Sequence, residues 1–131
     1  MKIQVIGLPG SGKTTYIKEY LDKKLINNTI HYDTTNFFGE NFEQNFRNKV
    51  KYSKENVIAE SACGVYIPNS EVIRLDIPAD IRRRQYENRE GENLDIQYES
   101  LLETRMIPAK YTVTNKKALF EVLDKLLVRN N

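Results

Sequence analysis

This chain of 131 residues has one cysteine, a small net charge and no long apolar run. A single cysteine, Cys63, excludes an intramolecular disulfide and a cysteine-cluster metal site. We expect Cys63 to be buried as a small apolar side chain and the protein to be in a reducing compartment. No apolar stretch approaches the length that spans a bilayer, so we expect no membrane association. The formal net charge of +2 is too small to indicate a nucleic-acid surface by itself.

Internal repeats and low-complexity segments are also missing from the sequence. The length suffices for one sizeable core, so we predict a single domain over residues 1–131, either a monomer or a homodimer. Met1 leads directly into a short apolar segment, which is not the pattern of a secretion signal. The expected location is therefore the cytoplasm.

One segment is rich in glycine: residues 7–14 read Gly-Leu-Pro-Gly-Ser-Gly-Lys-Thr. They match the phosphate-loop pattern G-x-x-x-x-G-K-[ST] at every fixed position. Glycines let backbone N–H groups wrap a phosphate, Lys13 supplies a cation for the outer phosphates, and the Thr14 hydroxyl can ligate Mg²⁺. We therefore predict a site for ATP and Mg²⁺. Its expected nucleotide-binding residues are Gly7, Pro9, Gly10, Ser11, Gly12, Lys13, Thr14 and Thr15.

Apolar periodicity predicts that strands alternate with helices along the whole chain. The expected strands cover residues 2–6, 29–32, 56–59, 72–76 and 111–114. The expected helices begin at Thr15, with an apolar face of Ile17, Tyr20, Leu21 and Leu25, then near Glu40, at Pro78, at Asp95 and after Asn115. This alternation predicts an α/β fold, a three-layer α/β/α sandwich around a five-stranded parallel sheet, with ligands at the carboxyl ends of the strands.

Two acidic residues stand at the ends of predicted strands. Asp33 follows the second strand and Glu60 follows the third, so a parallel sheet brings both to the phosphate loop. A carboxylate beyond the γ-phosphate can take a proton from an attacking hydroxyl, and one near a metal can hold its water ligands. We predict Asp33 as the base and Glu60, with Thr14, at the metal. Asp33 as a turn former before Thr34 stays an alternative.

Basic residues concentrate in one predicted helix, as Arg82, Arg83, Arg84 and Arg89. Arg82 and Arg89 share a helix face, and guanidinium groups suit phosphate oxygens. We predict a catalytic lid of Arg82, Arg84 and Arg89 that stabilises the transferring phosphoryl group. In the alternative, these arginines are solvated and paired with Glu87, Glu90 and Glu92.

With Lys13, Asp33, Glu60 and the arginine cluster in this order, nearly the whole chain resembles the P-loop kinases of nucleosides and nucleoside monophosphates. The resemblance implies the P-loop NTPase fold of the kinase type and transfer of the γ-phosphoryl group of ATP. It also implies that Asp33 orients or deprotonates the acceptor hydroxyl and that the strand of Glu60 lies beside the loop strand. Residues 84–101 look like the lid and following helix of deoxynucleoside kinases, whereas residues 62–64 lack the arginine that those kinases carry after the acid.

Other acceptors and other classes stay open. Polynucleotide kinases and small-molecule phosphotransferases use a similar loop, acid and lid, so a nucleic-acid end is a further acceptor beside a nucleoside or nucleotide. The candidates for stacking on a base are Phe37, Phe38, Tyr66 and Tyr86. A GTPase switch is disfavoured, because Ala118 replaces the aspartate of an N-K-x-D motif at Asn115 and no D-x-x-G occurs. A nucleotide-dependent regulator without transfer activity is the other class.

Overall fold

The predicted α/β fold is confirmed by the computed structural model, which describes residues 1–24, 28–62 and 65–128. The alternation of strands and helices is not strict in these ranges, because the third strand is followed by the fourth strand and the third helix by the fourth helix. The strands are β1 (Lys2–Ile6), β2 (Thr29–Asp33), β3 (Asn56–Ser61), β4 (Glu71–Leu75) and β5 (Tyr111–Val113). The helices are α1 (Lys13–Lys24), α2 (Phe42–Tyr52), α3 (Ala79–Glu90), α4 (Ile96–Thr104) and α5 (Lys116–Leu127), with a 3-10 helix at Thr34–Asn36. Leu25 and Cys63 lie outside the described residues, so the predictions for them are not addressed. No helix in the described ranges is long and apolar enough to cross a membrane.

Two of the predicted helix starts are realised as side-chain caps. Asp95 accepts hydrogen bonds from the backbone N–H groups of Gln97 and Tyr98, and Asn115 accepts one from Ala118 N at 2.8 Å. Each cap satisfies N–H groups that have no partner within the helix. The Asn-Lys-Lys-Ala run is therefore the start of α5. Pro78 differs slightly from expectation, since it precedes α3 as its N-cap and is not the first helical residue.

The sheet is parallel and has the order β2-β3-β1-β4-β5. The phosphate-loop strand β1 is thus central, and β3 lies beside it as expected. In the register, Val5 pairs with Glu60, and Glu60 pairs with Asp33. Neighbouring residues in a parallel register point to the same face, so Asp33 and Glu60 lie side by side at the carboxyl edge. β3 continues to Ser61, which places Glu60 inside the strand.

Helices cover both faces of the sheet, because alternate strand residues point to opposite sides. On one face α1 and α5 bury a core that includes Val5, Ile17, Ile58, Ile73 and Leu123. On the other face α2 buries a smaller core of Phe46, Val50, Val57, Ala59, Val65 and Ile67. The Tyr20 hydroxyl of α1 donates to Asp124 Oδ1 at 2.9 Å, and burial together with this bond raises the pKa of Tyr20, which keeps the phenol neutral.

A buried glutamine secures the connection from β3 to β4, which has no helix in its described part. Gln4, fully buried on the α2 face, donates from Nε2 to the carbonyl oxygen of Val65 and accepts from Ile67 N at 3.2 Å. One side chain thus satisfies two backbone groups that the crossover buries. Without it, those groups would lie away from water with no such partner.

Replacing Gln4 by methionine should therefore lower the free energy of unfolding by about 2 kcal/mol, because a similar volume is kept while buried polar groups are left unpaired. Urea denaturation measures this. The matched control is Gln44→Met on the exposed side of α2, which should change stability by less than about 0.5 kcal/mol. Equal effects of the two substitutions would contradict the role given to Gln4.

Candidate functional site

The loop between β1 and α1 is held tightly by its neighbours. Gly10 and Gly12 have φ angles of +83° and +89°, in the left-handed region that favours glycine. A Cβ atom at Gly10 would lie 2.2 Å from the carbonyl oxygen of Arg82, and one at Gly12 would lie 2.8 Å from the Tyr16 ring. The loop therefore lies directly against the backbone of α3 and the first turn of α1, and both positions require glycine for two independent reasons.

Lys13, the first residue of α1, folds back over the loop. Its ammonium nitrogen donates to the carbonyl oxygen of Gly7 at 2.6 Å and lies 3.4 Å from both Leu8 O and Ser11 Oγ. These acceptors are neutral. The positive charge of Lys13 thus stands within the curve of the loop, where an anion bound by the loop N–H groups would meet it.

Thr14 joins the two acids from the strand ends. Its hydroxyl donates to Glu60 Oε1 in a short hydrogen bond, and Thr14 Oγ1 lies 3.5 Å from Asp33 Oδ2. The other oxygen of Asp33, Oδ1, accepts from Thr35 N at 3.0 Å and caps the 3-10 helix. Asp33 therefore shapes the turn with one oxygen and faces Thr14 with the other, so its two sequence-based interpretations are compatible.

His31 belongs to this cluster and was missed by the sequence reasoning. Its Nε2 atom lies 2.6 Å from Glu60 Oε2. The signal that could have found it is the two-residue period of a strand, which puts His31 on the same face of β2 as Asp33. A lone histidine in a β-rich run carries no motif, so nothing in the sequence singled it out.

A cavity of about 490 Å³ opens at this edge of the sheet. The loop and the start of α1 line one side with Pro9, Gly10, Gly12, Lys13, Thr14 and Thr15. The strand ends and the 3-10 helix contribute Asp33, Thr34, Thr35, Glu60, Ser61 and Ala62. The far wall consists of Arg89 and Glu90 from α3 with Tyr98 and Leu102 from α4.

The predicted lid arginines lie in three different environments. Arg89 lines the cavity, bonds Glu90 Oε1 at 2.7 Å and contacts the Tyr86 ring. Arg84 is exposed and is paired with Asp80 at 3.6 Å. Arg82 is 7% exposed, donates from Nε to Ile77 O at 2.9 Å and forms an ion pair with Glu99 of α4. Arg89 is thus the member of the predicted set that the structure brings to the cavity.

The aromatic side chains that were candidates for base stacking lie elsewhere. Phe37 packs edge-on against Phe46 in the α2 core, and Phe38 is 81% exposed. Neither these two nor Tyr66 and Tyr86 line the cavity. An aromatic ring on its wall is that of Tyr98, from α4.

The oxygen atoms around Thr14 fit a magnesium ion that arrives with a nucleotide. No group of three histidine, cysteine or acidic side chains able to hold a metal is found in the described part of the chain. Mg²⁺ prefers oxygen ligands and is usually held by one or two protein groups, waters and substrate phosphates. The Thr14 hydroxyl with the Glu60 and Asp33 carboxylates supplies such a set.

Comparison with known proteins gives a likeness of structure only. No protein-family model and no curated sequence matches this chain. A shikimate kinase from Acinetobacter baumannii in complex with shikimate aligns with a TM-score of 0.65 and 17% identity, covering 99% of this chain and 94% of that one. A gluconokinase from Sinorhizobium meliloti 1021 aligns with a TM-score of 0.64 and 10% identity, covering 98% and 92%. A tunicamycin resistance protein from Deinococcus radiodurans gives 0.65 and 11%, covering 97% and 95%.

These alignments and the five-stranded parallel sheet define the class of fold: a P-loop kinase fold, as in the shikimate kinases. Two of these proteins are named as kinases of small molecules, shikimate kinase and gluconokinase. The narrower resemblance to deoxynucleoside kinases stays a prediction.

Proposed function

We propose that this chain is a Mg²⁺-dependent phosphotransferase that moves the γ-phosphoryl group of ATP to a hydroxyl or phosphate group of a small acceptor. One observation carries the proposal: Thr14, Asp33 and Glu60 meet within hydrogen-bond distance beside Lys13, at the mouth of a phosphate loop. A structural glycine turn has no need of two acids from different strands. The likeness in fold to kinases of small molecules supports the same activity.

The residues divide into donor-holding and metal-holding groups. The N–H groups of the loop and the Lys13 ammonium bind the phosphates of ATP. Thr14 and Glu60 hold Mg²⁺, directly or through its waters. When bound, the ion neutralises charge on the phosphate oxygens. The Arg89 guanidinium, on the far wall, stabilises the negative charge of the transferring group. For Arg82 and Arg84 a lid role stays a prediction, and each has a carboxylate partner in this structure.

The transfer step uses Asp33 as the base. The acceptor oxygen bonds to the γ-phosphorus while the bond from that phosphorus to the bridging oxygen of ADP breaks. The acceptor's proton passes to Asp33 Oδ2, and ADP leaves with the electron pair of the broken bond. Asp33 is available for this because its other oxygen anchors the turn to Thr35 N.

The acceptor that we propose first is a nucleoside or nucleotide, with Tyr98 as the aromatic surface on the cavity wall. A second candidate is a small hydroxylated compound, which the hydroxyl groups of Thr34, Thr35 and Ser61 at the strand ends and the 3-10 helix would bind. A 5′-hydroxyl nucleic-acid end is the third. The cytoplasmic location and the choice between monomer and homodimer stay predictions.

One experiment tests the activity and names the acceptor. Labelled γ-phosphate is supplied as ATP with Mg²⁺, together with deoxynucleosides, nucleoside monophosphates, 5′-hydroxyl oligonucleotides, and sugars and hydroxy acids. A labelled product identifies the class of acceptor. If ATP binds with micromolar to millimolar affinity and no acceptor is labelled, the transferase proposal fails and a nucleotide-dependent regulator takes its place.

Asp33→Asn should lower turnover by about 10²- to 10⁴-fold, because an amide cannot take the proton. The affinity for ATP should change less than about threefold. Asparagine keeps an oxygen that can accept from Thr35 N, so the turn is preserved. The matched control is Asp22→Asn on the exposed face of α1. Near-normal turnover of Asp33→Asn with the labelled acceptor would show that the base lies elsewhere.

A further inference from the structure

The single histidine of the chain, His31, contacts Glu60 through the carboxylate oxygen that does not face Thr14. His31 lies in β2, two residues before Asp33, and its Nε2 atom stands 2.6 Å from Glu60 Oε2. Its side chain is 13% exposed and that of Glu60 is 4% exposed. The opposite oxygen, Oε1, accepts from Thr14. Both oxygens of Glu60 therefore have a side-chain partner, one from α1 and one from β2.

The chemistry of the two groups decides the direction of the contact. An ionised carboxylate only accepts hydrogen bonds, so His31 donates from Nε2. The hydrogen bond from His31 matters because a glutamate side chain has one more rotatable bond than an aspartate side chain. A carboxylate held through only one of its oxygens could rotate about that contact. Holding Oε2 leaves Oε1 aimed at Thr14. Ligating carboxylates in metal sites are commonly held in this way by an outer hydrogen bond.

We propose that His31 is a positioning residue that orients the Glu60 carboxylate for Mg²⁺ binding with Thr14. The inference rests on the proposed function, in which Glu60 belongs to the metal site. The inference also assigns different roles to the two acidic residues of the site. Glu60 has one oxygen occupied by His31 and the other by Thr14, whereas Asp33 Oδ2 is 3.5 Å from Thr14 and is the better placed of the two to take a proton.

The test measures metal affinity, without any acceptor. Mn²⁺, which is observable by electron paramagnetic resonance, is titrated into protein saturated with a non-hydrolysable ATP analogue. His31→Leu should weaken Mn²⁺ binding by about 10- to 100-fold. His31→Gln, whose amide NH₂ can donate from nearly the same position, should stay within about threefold of the unmodified protein. His31→Asn, whose polar side chain is too short to reach Oε2, should weaken Mn²⁺ binding as much as His31→Leu does. It replaces His31→Leu in the test if the leucine variant folds poorly.

Two further readouts separate positioning from a structural role. The affinity for the ATP analogue without metal should be unchanged in all three variants. In the double variant His31→Leu/Glu60→Gln, Mn²⁺ binding should be no weaker than in Glu60→Gln alone, because the contact is already lost. If His31→Leu binds Mn²⁺ normally, or if His31→Gln is as weak as His31→Leu, the inference is overturned. A loss of unfolding free energy with unchanged Mn²⁺ affinity also overturns it and leaves a structural role.

The outcomes for the two proposals are distinguishable. If the unmodified protein transfers phosphate and the His31 variants bind Mn²⁺ normally, this inference fails while the proposed function stands. If no acceptor is phosphorylated but the predicted order of Mn²⁺ affinities is found, the positioning role stands at a nucleotide-binding site that does not transfer. If the unmodified protein binds no Mn²⁺ with the ATP analogue, both proposals fail.

Discussion

Replacing Lys13 by alanine should reduce phosphoryl transfer by at least about 10²- to 10³-fold, the usual cost of losing one charge-stabilising donor at a reacting group. The ammonium group stands 2.6 Å from Gly7 O within the curve of the loop and lies 3.4 Å from Leu8 O and Ser11 Oγ. Its charge therefore lies where the outer phosphates of a nucleotide bound by the loop N–H groups would meet it. Affinity for ATP should fall as well, because the same charge attracts the ground-state phosphates.

Lys18→Ala is the matched control for this experiment. Lys18 lies on α1 one turn and a half beyond Lys13 and is exposed. Both variants lose one positive charge from the same helix, so an effect of net charge alone would appear in both. Transfer rates with the labelled acceptor and equilibrium binding of ATP are measured for each. A fully active Lys13→Ala protein would contradict the whole assignment of the site.

The second large effect is on stability and comes from the buried pair of Arg82 and Glu99. Arg82→Met should lower the free energy of unfolding by about 3–5 kcal/mol, because it leaves the carboxylate of Glu99 buried beside an apolar side chain. The double variant Arg82→Met/Glu99→Leu should recover most of that loss. The pair leaves one carboxylate oxygen unsatisfied, since the buried Glu99 Oε2 has no hydrogen-bond partner among the described residues. Apolar packing can therefore replace it at little cost.

Arg84→Met is the control on the same helix. Its pair with Asp80 is spaced at i and i+4 with both side chains more than 70% exposed, so its loss should cost less than about 1 kcal/mol. Guanidinium denaturation of the unmodified protein, the two single variants and the double variant measures these differences in unfolding free energy. Equal destabilisation by Arg82→Met and Arg84→Met, or no recovery in the double variant, would contradict the structural role assigned to Arg82.

The pair of Arg82 and Glu99 also connects the stability of the fold to the candidate site. Arg82 contacts the phosphate loop through its carbonyl group, at the point where Gly10 has no room for a Cβ atom, and it holds α4 through Glu99. The residue before Glu99 is Tyr98, which lines the cavity. Breaking the pair should therefore also disturb the far wall. Arg82→Met should raise the KM for the acceptor more than the KM for ATP, which steady-state kinetics can separate.

Much of the fold could be predicted because its signals are local. The phosphate loop is a continuous run of residues, and the caps at Asp95 and Asn115 act within three residues of themselves. The strand ends could be predicted as well, since a parallel sheet brings all of its carboxyl ends to one edge. Asp33 and Glu60 were expected together for that reason. Their register pairing puts them on adjacent strands with the same orientation.

The positions of the arginines and of His31 relative to the site were harder to predict from the sequence, because they depend on contacts between distant segments. Helix periodicity placed Arg82 and Arg89 on one face, yet that face meets α4 at one end and the cavity at the other. The sequence carries no local sign that Glu99, 17 positions away, closes over Arg82. The partner of His31 is likewise 29 residues distant.

The sequence by itself determined the order of strands and helices along the chain and the place of the phosphate-loop pattern on which the proposed chemistry rests. A loop that cradles phosphate needs glycines, a lysine and a hydroxyl in consecutive positions, and backbone hydrogen bonding makes the periodicity local. Only the tertiary structure decided which charged side chains reach the cavity. That choice depends on how helices α3 and α4 dock, which buries one arginine with a carboxylate, leaves another in solvent and places a third on the cavity wall.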